Sequence, residues 1–243
     1  MTNIKKTFRI ILPEQIYVFI TRKIVVPMRF IKYRNILKRS GIKYRNIYNT
    51  IEITFFDDIK LTYNHIRKSG NSNILFILYK ILKEKQYNTP YLDTLKSDPI
   101  PDAMRRKYLG LNKYPMTIYF YKKILKSYKF TFVRNPYIRA VSMFRDKIIN
   151  SGYFKDELGN LNNGKSGFEK FVSFLENGGI KKDKHFETQT NHLFFRLEDY
   201  DFIGKLESFD IDFIKILNDN NIFISEEIQN IISQRTNTTH VTK

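Results

Sequence analysis

Apolar and polar positions along the chain switch between two periods. "LTYNHI" (Leu61–Ile66) alternates as a strand does, and "NILFILYKILKEKQ" (Asn73–Gln86) has the length and apolar density of a buried helix. Between them lies "RKSGNS", a glycine- and serine-bearing turn. Strand, tight turn, helix is the opening of an α/β unit. The order recurs at "KFTFV" (Lys129–Val133), a short buried-strand candidate, followed by "NPYIRAVSMFRDKII". There Pro136 falls at a helix start, where its missing N–H costs nothing. A third strand is predicted at "YDFIGKL" (Tyr200–Leu206), followed by "DIDFIKILNDNN" with a helical period.

Three further helices complete the pattern. "MTIYFYKKILKSY" precedes the second strand, and its β-branched start is also compatible with extended chain. "FEKFVSFLENGG" stops at Gly178 and Gly179, and "SEEIQNIISQR" has a serine N-cap and an acidic first turn. The stretch from Tyr87 to Pro115, with Pro90, Pro99 and Pro101 inside it, reads as loop with short helical turns. Residues 1–50 are basic, dotted with tyrosine and weakly periodic. No linker divides the chain, so one domain over 1–243 is expected: a mostly parallel sheet flanked by helices, with a motif-bearing core at 61–217 and residues 1–50 as a basic N-terminal extension.

Composition narrows the functions. With 42 Lys+Arg against 24 Asp+Glu, the formal charge of +18 favours anionic partners: nucleic acid, lipid headgroups, or phosphorylated and sulfated molecules. Part of the lysine excess follows the Ile, Lys and Asn bias of an AT-rich genome, and such lysines simply face water. The absence of cysteine excludes disulfides, thiolate zinc sites and a thiol nucleophile, and suits a reducing cytosol. Four scattered histidines have no metal-ligand spacing, so no metal is expected. No apolar run reaches the ~20 residues that span a bilayer. The longest, "RIILPEQIYVFITRKIVVPMRF", is broken by Glu14, Gln15, Arg22 and Lys23. It suits an ordinary surface helix, or peripheral contact with the inner membrane through basic side chains.

Two loops carry chemistry. In "RKSGNSN", Gly70 permits a tight turn, and the amides at the start of the next helix favour an anion. Lys68 adds a mobile charge; Ser69 and Ser72 add hydroxyl donors. In "VRNPYIRAVS", Arg134 stands at a strand end, where open α/β sheets bind ligands. Ser142 follows in the first turns of the helix, and Arg139 shares its helical face. Two anion sites at two strand–turn–helix junctions suit a ligand phosphorylated at two separated places.

This pair resembles the carbohydrate sulfotransferases of the family-2 type, which have a P-loop-like fold. "RNPYIRAVSMFRDKI" is similar to their arginine–proline–arginine–serine motif for the 3′-phosphate of 3′-phosphoadenosine-5′-phosphosulfate (PAPS). "RKSGNSN" is similar to their cradle for the 5′-phosphosulfate. "KHFETQT" (Lys184–Thr190) and "YDFIGKLESF" match two later family features in order. The chain departs in having Arg67 where proline is common, and Asn71-Ser72-Asn73 where threonine is common. "QRTNTTHVTK" looks like the start of a segment that in the family continues into another helix.

The resemblance implies a PAPS-dependent bacterial enzyme of carbohydrate sulfation and polysaccharide biosynthesis. Arg67, Lys68, Ser69, Gly70, Asn71, Ser72 and Asn73 would hold the 5′ end, and Arg134 and Ser142 the 3′-phosphate. Arg139 would assist there or brace the loop. Lys68 would stabilise the leaving phosphate, and His185 would serve as general base, with His65 and Glu187 as alternatives. Glu207 reads as structural or acceptor-positioning. Two other functions compete. Against a P-loop-type small-molecule kinase, the chain lacks both the Walker lysine spacing and an evident magnesium-binding aspartate. A non-catalytic basic protein on nucleic acid or membrane would use the Tyr–Lys-rich "FIKYRNILKRSGIKYRNIY" (Phe30–Tyr48), which matches no nucleic-acid module.

Overall fold

The computed structural model describes residues 53–85 and 118–234. The expectations for residues 1–50, for the proline-bearing loop at 87–115 and for the end of the chain from 235 lie outside the described residues. Four strands form one sheet in the order β1 (Ile53–Phe56), β2 (Leu61–Asn64), β3 (Tyr128–Val133), β4 (Phe202–Lys205). β1 is antiparallel to β2, whereas β2, β3 and β4 run parallel. The described helices are α1 (Asn71–Glu84), α2 (Ile118–Leu125), α3 (Pro136–Met143), α4 (Lys155–Leu158), α5 (Lys165–Glu176), α6 (Phe209–Asp219) and α7 (Glu226–Ser233). The α/β class and the three parallel strands are as the sequence predicts.

Both faces of the sheet are covered, as parallel sheets require. Leu61, Tyr63, Phe130 and Phe132 pack on Ile74 and Leu78 of α1, Phe213 of α6 and Ile228 of α7. Ile53, Ile124, Phe194 and Phe195 form a second cluster. The polar positions of β2 are buried too, and each is paired. Thr62 shares a 2.5 Å hydrogen bond with Ser127. The Asn64 side chain donates to the His192 carbonyl at 3.1 Å and accepts the Phe194 N–H at 2.7 Å. Asn64 thereby pins the segment that follows "KHFETQT" beside the end of β2. Gly204 on β4 is also dictated by packing, since a Cβ there would lie 2.6 Å from the Phe132 ring.

Two features differ from expectation. β1 is not among the predicted elements. It is four residues long and joined to β2 by a tight turn at Asp57–Lys60, whose polarity hides the hairpin. The helix after β3 is not uniform either: it is α-helical to Met143 and then widens into a π-helix over Phe144–Asn150. Met143, Phe144 and Ile148 of this joint pack on Phe171 and Phe186, which anchors the 183–189 segment to α5.

The register sets the position of the site. Asn64 lies opposite Thr131, and Val133 opposite Lys205, so β2, β3 and β4 end along one edge. The loops following all three strands emerge side by side there.

Candidate active site

The loop after β2 is built on unusual backbone. Lys68 has φ 66° and Gly70 φ 80°, with Ser69 between them. A left-handed lysine costs about 1–3 kcal/mol, and such strain clusters at ligand sites. Gly70 is fixed twice over, since a Cβ would also stand 2.6 Å from Leu206 Cδ1 in the loop after β4. Gly70→Ala is expected to destabilise by about 2 kcal/mol, seen as a fall of several degrees in Tm by calorimetry. An unchanged Tm would mean that the loop relaxes freely.

Gly70 is also the N-cap of α1, and no side chain among the described residues caps that helix. Asn71, Ser72 and Asn73 form its first turn, each half-buried, with Asn71 Oδ1 accepting the Tyr63 hydroxyl at 2.6 Å. The positive end of a fourteen-residue helix dipole therefore points into the loop without a side-chain acceptor. The second junction differs. The Asn135 side chain accepts the N–H groups of Tyr137 and Ile138, at 3.0 and 3.3 Å, and so caps α3. An anion at that junction has to be held by side chains rather than by helix amides.

Lys68 is ion-paired with Asp146, which the π-helix carries and which also takes Lys147 at 3.2 Å. Burial, opposed by Asp146 and reinforced by the Lys147 and Arg134 charges, lowers the Lys68 ammonium below its ordinary value. Burial works against ionisation of Asp146, but Lys68 and Lys147 outweigh it and hold the carboxyl below its usual range. Arg134 donates from Nη1 to the Lys68 carbonyl at 3.3 Å, so the two basic loops touch. Burial lowers its guanidinium, opposed by Glu207. Glu207 itself accepts the Asn135 N–H at 2.8 Å, which ties the loop after β4 to the loop after β3. Ser142 stands half-buried on α3.

Arg139 is turned inward onto backbone carbonyls. It is 4% exposed; Nε donates to the Arg67 carbonyl at 2.9 Å and Nη2 to the His185 carbonyl at 3.2 Å. Burial pushes it down to about 10, which still leaves it charged at neutral pH. Of the two roles open to it in the sequence, the geometry favours the structural one.

His185 is held at both nitrogens. Nδ1 donates to Asp183 Oδ1 at 2.6 Å, and Nε2 accepts from Arg67 Nη1 at 2.9 Å. Arginine has no acceptor, so the ring is neutral with its proton on Nδ1. Burial, opposed by the Asp183 hydrogen bond and helped by the Arg67 and Lys147 charges, lowers its pKa below the ordinary 6.5. Arg67 Nε is buried with no hydrogen-bond partner among the described residues. His65 lies apart from this group, hydrogen-bonded to Thr54 of β1 at 2.8 Å and 4.8 Å from the Tyr63 ring. Glu187 is half-buried in the segment between His185 and Gln189.

Gln189 and Asp146 both lie within motifs that the sequence shows, but neither has a part there. Gln189 Oε1 accepts the Arg134 N–H at 2.8 Å and the Ser69 hydroxyl at 3.2 Å, while Nε2 donates to the Arg134 carbonyl at 2.7 Å. Among the described residues no group of three His, Cys, Asp or Glu is arranged to hold a metal ion, and no helix is long and apolar enough to cross a membrane.

Three parallel strand ends carrying two basic loops, one with an uncapped helix behind it, form an α/β edge suited to an anionic ligand. Comparison with known protein families then matches residues 52–243 to the sulfotransferase family. The chain belongs to that family and is an enzyme of sulfuryl transfer. No curated protein and no solved structure matches it.

Proposed function

We propose that this sulfotransferase takes its sulfuryl group from PAPS and gives it to a hydroxyl of a carbohydrate. The single observation that carries the donor reading is the contact of the two basic loops, Arg134 Nη1 on the Lys68 carbonyl at 3.3 Å. It sets two cationic anchors on neighbouring strand ends, as a nucleotide with phosphates at two positions requires. The residues fit such a ligand in three further respects. Gly70 leaves α1 without a side-chain cap, Arg67 keeps an orphaned buried donor, and left-handed Lys68 and Gly70 flank Ser69.

The donor supplies an activated sulfuryl group on its 5′-phosphate. Lys68 and the first amides of α1 neutralise the charge that grows on the leaving phosphate oxygen as the S–O bond breaks. Arg134, with Ser142, takes the 3′-phosphate. The acceptor oxygen attacks sulfur, and its proton passes to His185 Nε2, whose partner Asp183 steadies the imidazolium formed. Nε2 must first be released by Arg67, whose guanidinium turns to the incoming phosphates. His65, engaged with Thr54, is the weaker candidate for this role. The carbohydrate acceptor rests on the four ordered motifs, and the charge of +18 would draw in an acidic glycan.

A base must be unprotonated to act, and His185 titrates below 6.5. The kcat/KM for transfer from PAPS is therefore expected to fall through an acid limb below pH 6.5 and to be flat at neutral pH. His185→Gln removes that limb together with most of the rate. A limb that survives in His185→Gln assigns the base elsewhere.

A further inference from the structure

Resting on the reading of a doubly phosphorylated donor, we propose that Gln189 is a positioning residue that locks the two phosphate sites at a fixed separation. Its amide pairs with both the N–H and the C=O of Arg134, as a neighbouring strand would. The same Oε1 accepts the Ser69 hydroxyl, from the residue between left-handed Lys68 and Gly70. Ser69 is fully buried, so this third arm works away from bulk water. One side chain, from a segment distant in sequence from both loops, thus joins the Ser69 hydroxyl of the 5′ cradle to the backbone of the 3′ site.

A second direct link to Arg134 is its own Nη1 on the Lys68 carbonyl. That guanidinium is the group assigned to the 3′-phosphate, so the link loosens when the phosphate is bound. Arg139 ties the first loop to the segment that carries Gln189, through the Arg67 and His185 carbonyls, but does not itself reach Arg134. Gln189 keeps its hold on Ser69 and on the Arg134 backbone in the bound state. Its effect differs from that of a phosphate ligand. A ligand with one phosphate uses one site and is indifferent to the spacing. A bisphosphate gains from the second site only if the first holds it at the right distance, which is an effective-concentration term.

The test is calorimetric titration of wild type and Gln189→Met with adenosine 3′,5′-bisphosphate, 5′-AMP and 3′-AMP. Methionine keeps the length of the side chain and removes all three hydrogen bonds. The bisphosphate is expected to weaken about tenfold in Gln189→Met, while each monophosphate stays within about twofold of wild type. Ser69→Ala, which cuts only the Ser69 arm, gives a smaller loss of the same kind and serves if Gln189→Met folds poorly. A bisphosphate advantage kept in full by both variants overturns the coupling and leaves the donor reading intact. So does an equal loss for all three nucleotides, which marks a general disturbance of the loops. A wild type with no preference for the bisphosphate overturns the donor reading itself.

Discussion

Lys68→Ala is expected to lower kcat for sulfuryl transfer by about 10²–10³-fold, with a far smaller change in the KM for the acceptor. The magnitude is that of removing one donor aimed at charge that develops in the transition state. The substitution is clean in this fold. Lysine and alanine pay the same left-handed backbone cost at φ 66°, so the loop gains no new strain. Asp146 loses one cation but keeps Lys147 at 3.2 Å, and no bare buried carboxylate is left behind. Steady-state kinetics with saturating PAPS reads the effect. A kcat within a few-fold of wild type would remove Lys68 from the chemistry and leave it as the counter-ion of Asp146.

Arg134→Ala has the second large effect, and it falls on the donor. Hydrogen bonds to a charged group contribute about 1.5–3 kcal/mol, so the donor KM should rise roughly 10- to 150-fold. The backbone of Arg134 stays clipped by Gln189 through its N–H and C=O, so the loop keeps its place when the guanidinium is gone. Affinity for 5′-AMP, which has no 3′-phosphate, should change little. Measuring both nucleotides on the same variant separates loss of a phosphate contact from collapse of the loop. Equal weakening of both would place Arg134 with Arg139, as a brace.

Much of the fold was legible because its signals are local. β2, β3 and β4 show as short apolar or alternating runs, and "NPYIRAVS" announces a helix start with proline in its first turn. β1 was missed because four residues before a polar turn carry too little period. The π-helix was invisible, since its sequence keeps a helical pattern across Met143 and Phe144. The site divides in the same way. Gly70, Lys68 and Arg134 could be read because strand ends, turns and helix starts have compositional marks. Gln189 and Asp146 act over long sequence separations, on Ser69, Arg134 and Lys68, and no spacing rule reaches that far. The burial of Arg139 against the Arg67 and His185 carbonyls was not legible, because one helical face cannot reveal partners that are backbone groups. The Asn135 cap and the Asp183–His185 pair were within reach, being local contacts of familiar residue types.

The central claim is a donor phosphorylated at both the 3′ and the 5′ position, and the thermal shift of the wild-type protein without metal tests it most directly. Adenosine 3′,5′-bisphosphate at about 100 times its Kd should stabilise the fold by about 2.7 kcal/mol and raise Tm by several degrees. At the same concentration, 5′-AMP, ADP and ATP should shift it much less. Equal shifts for all four nucleotides, or none for the bisphosphate, would contradict the account.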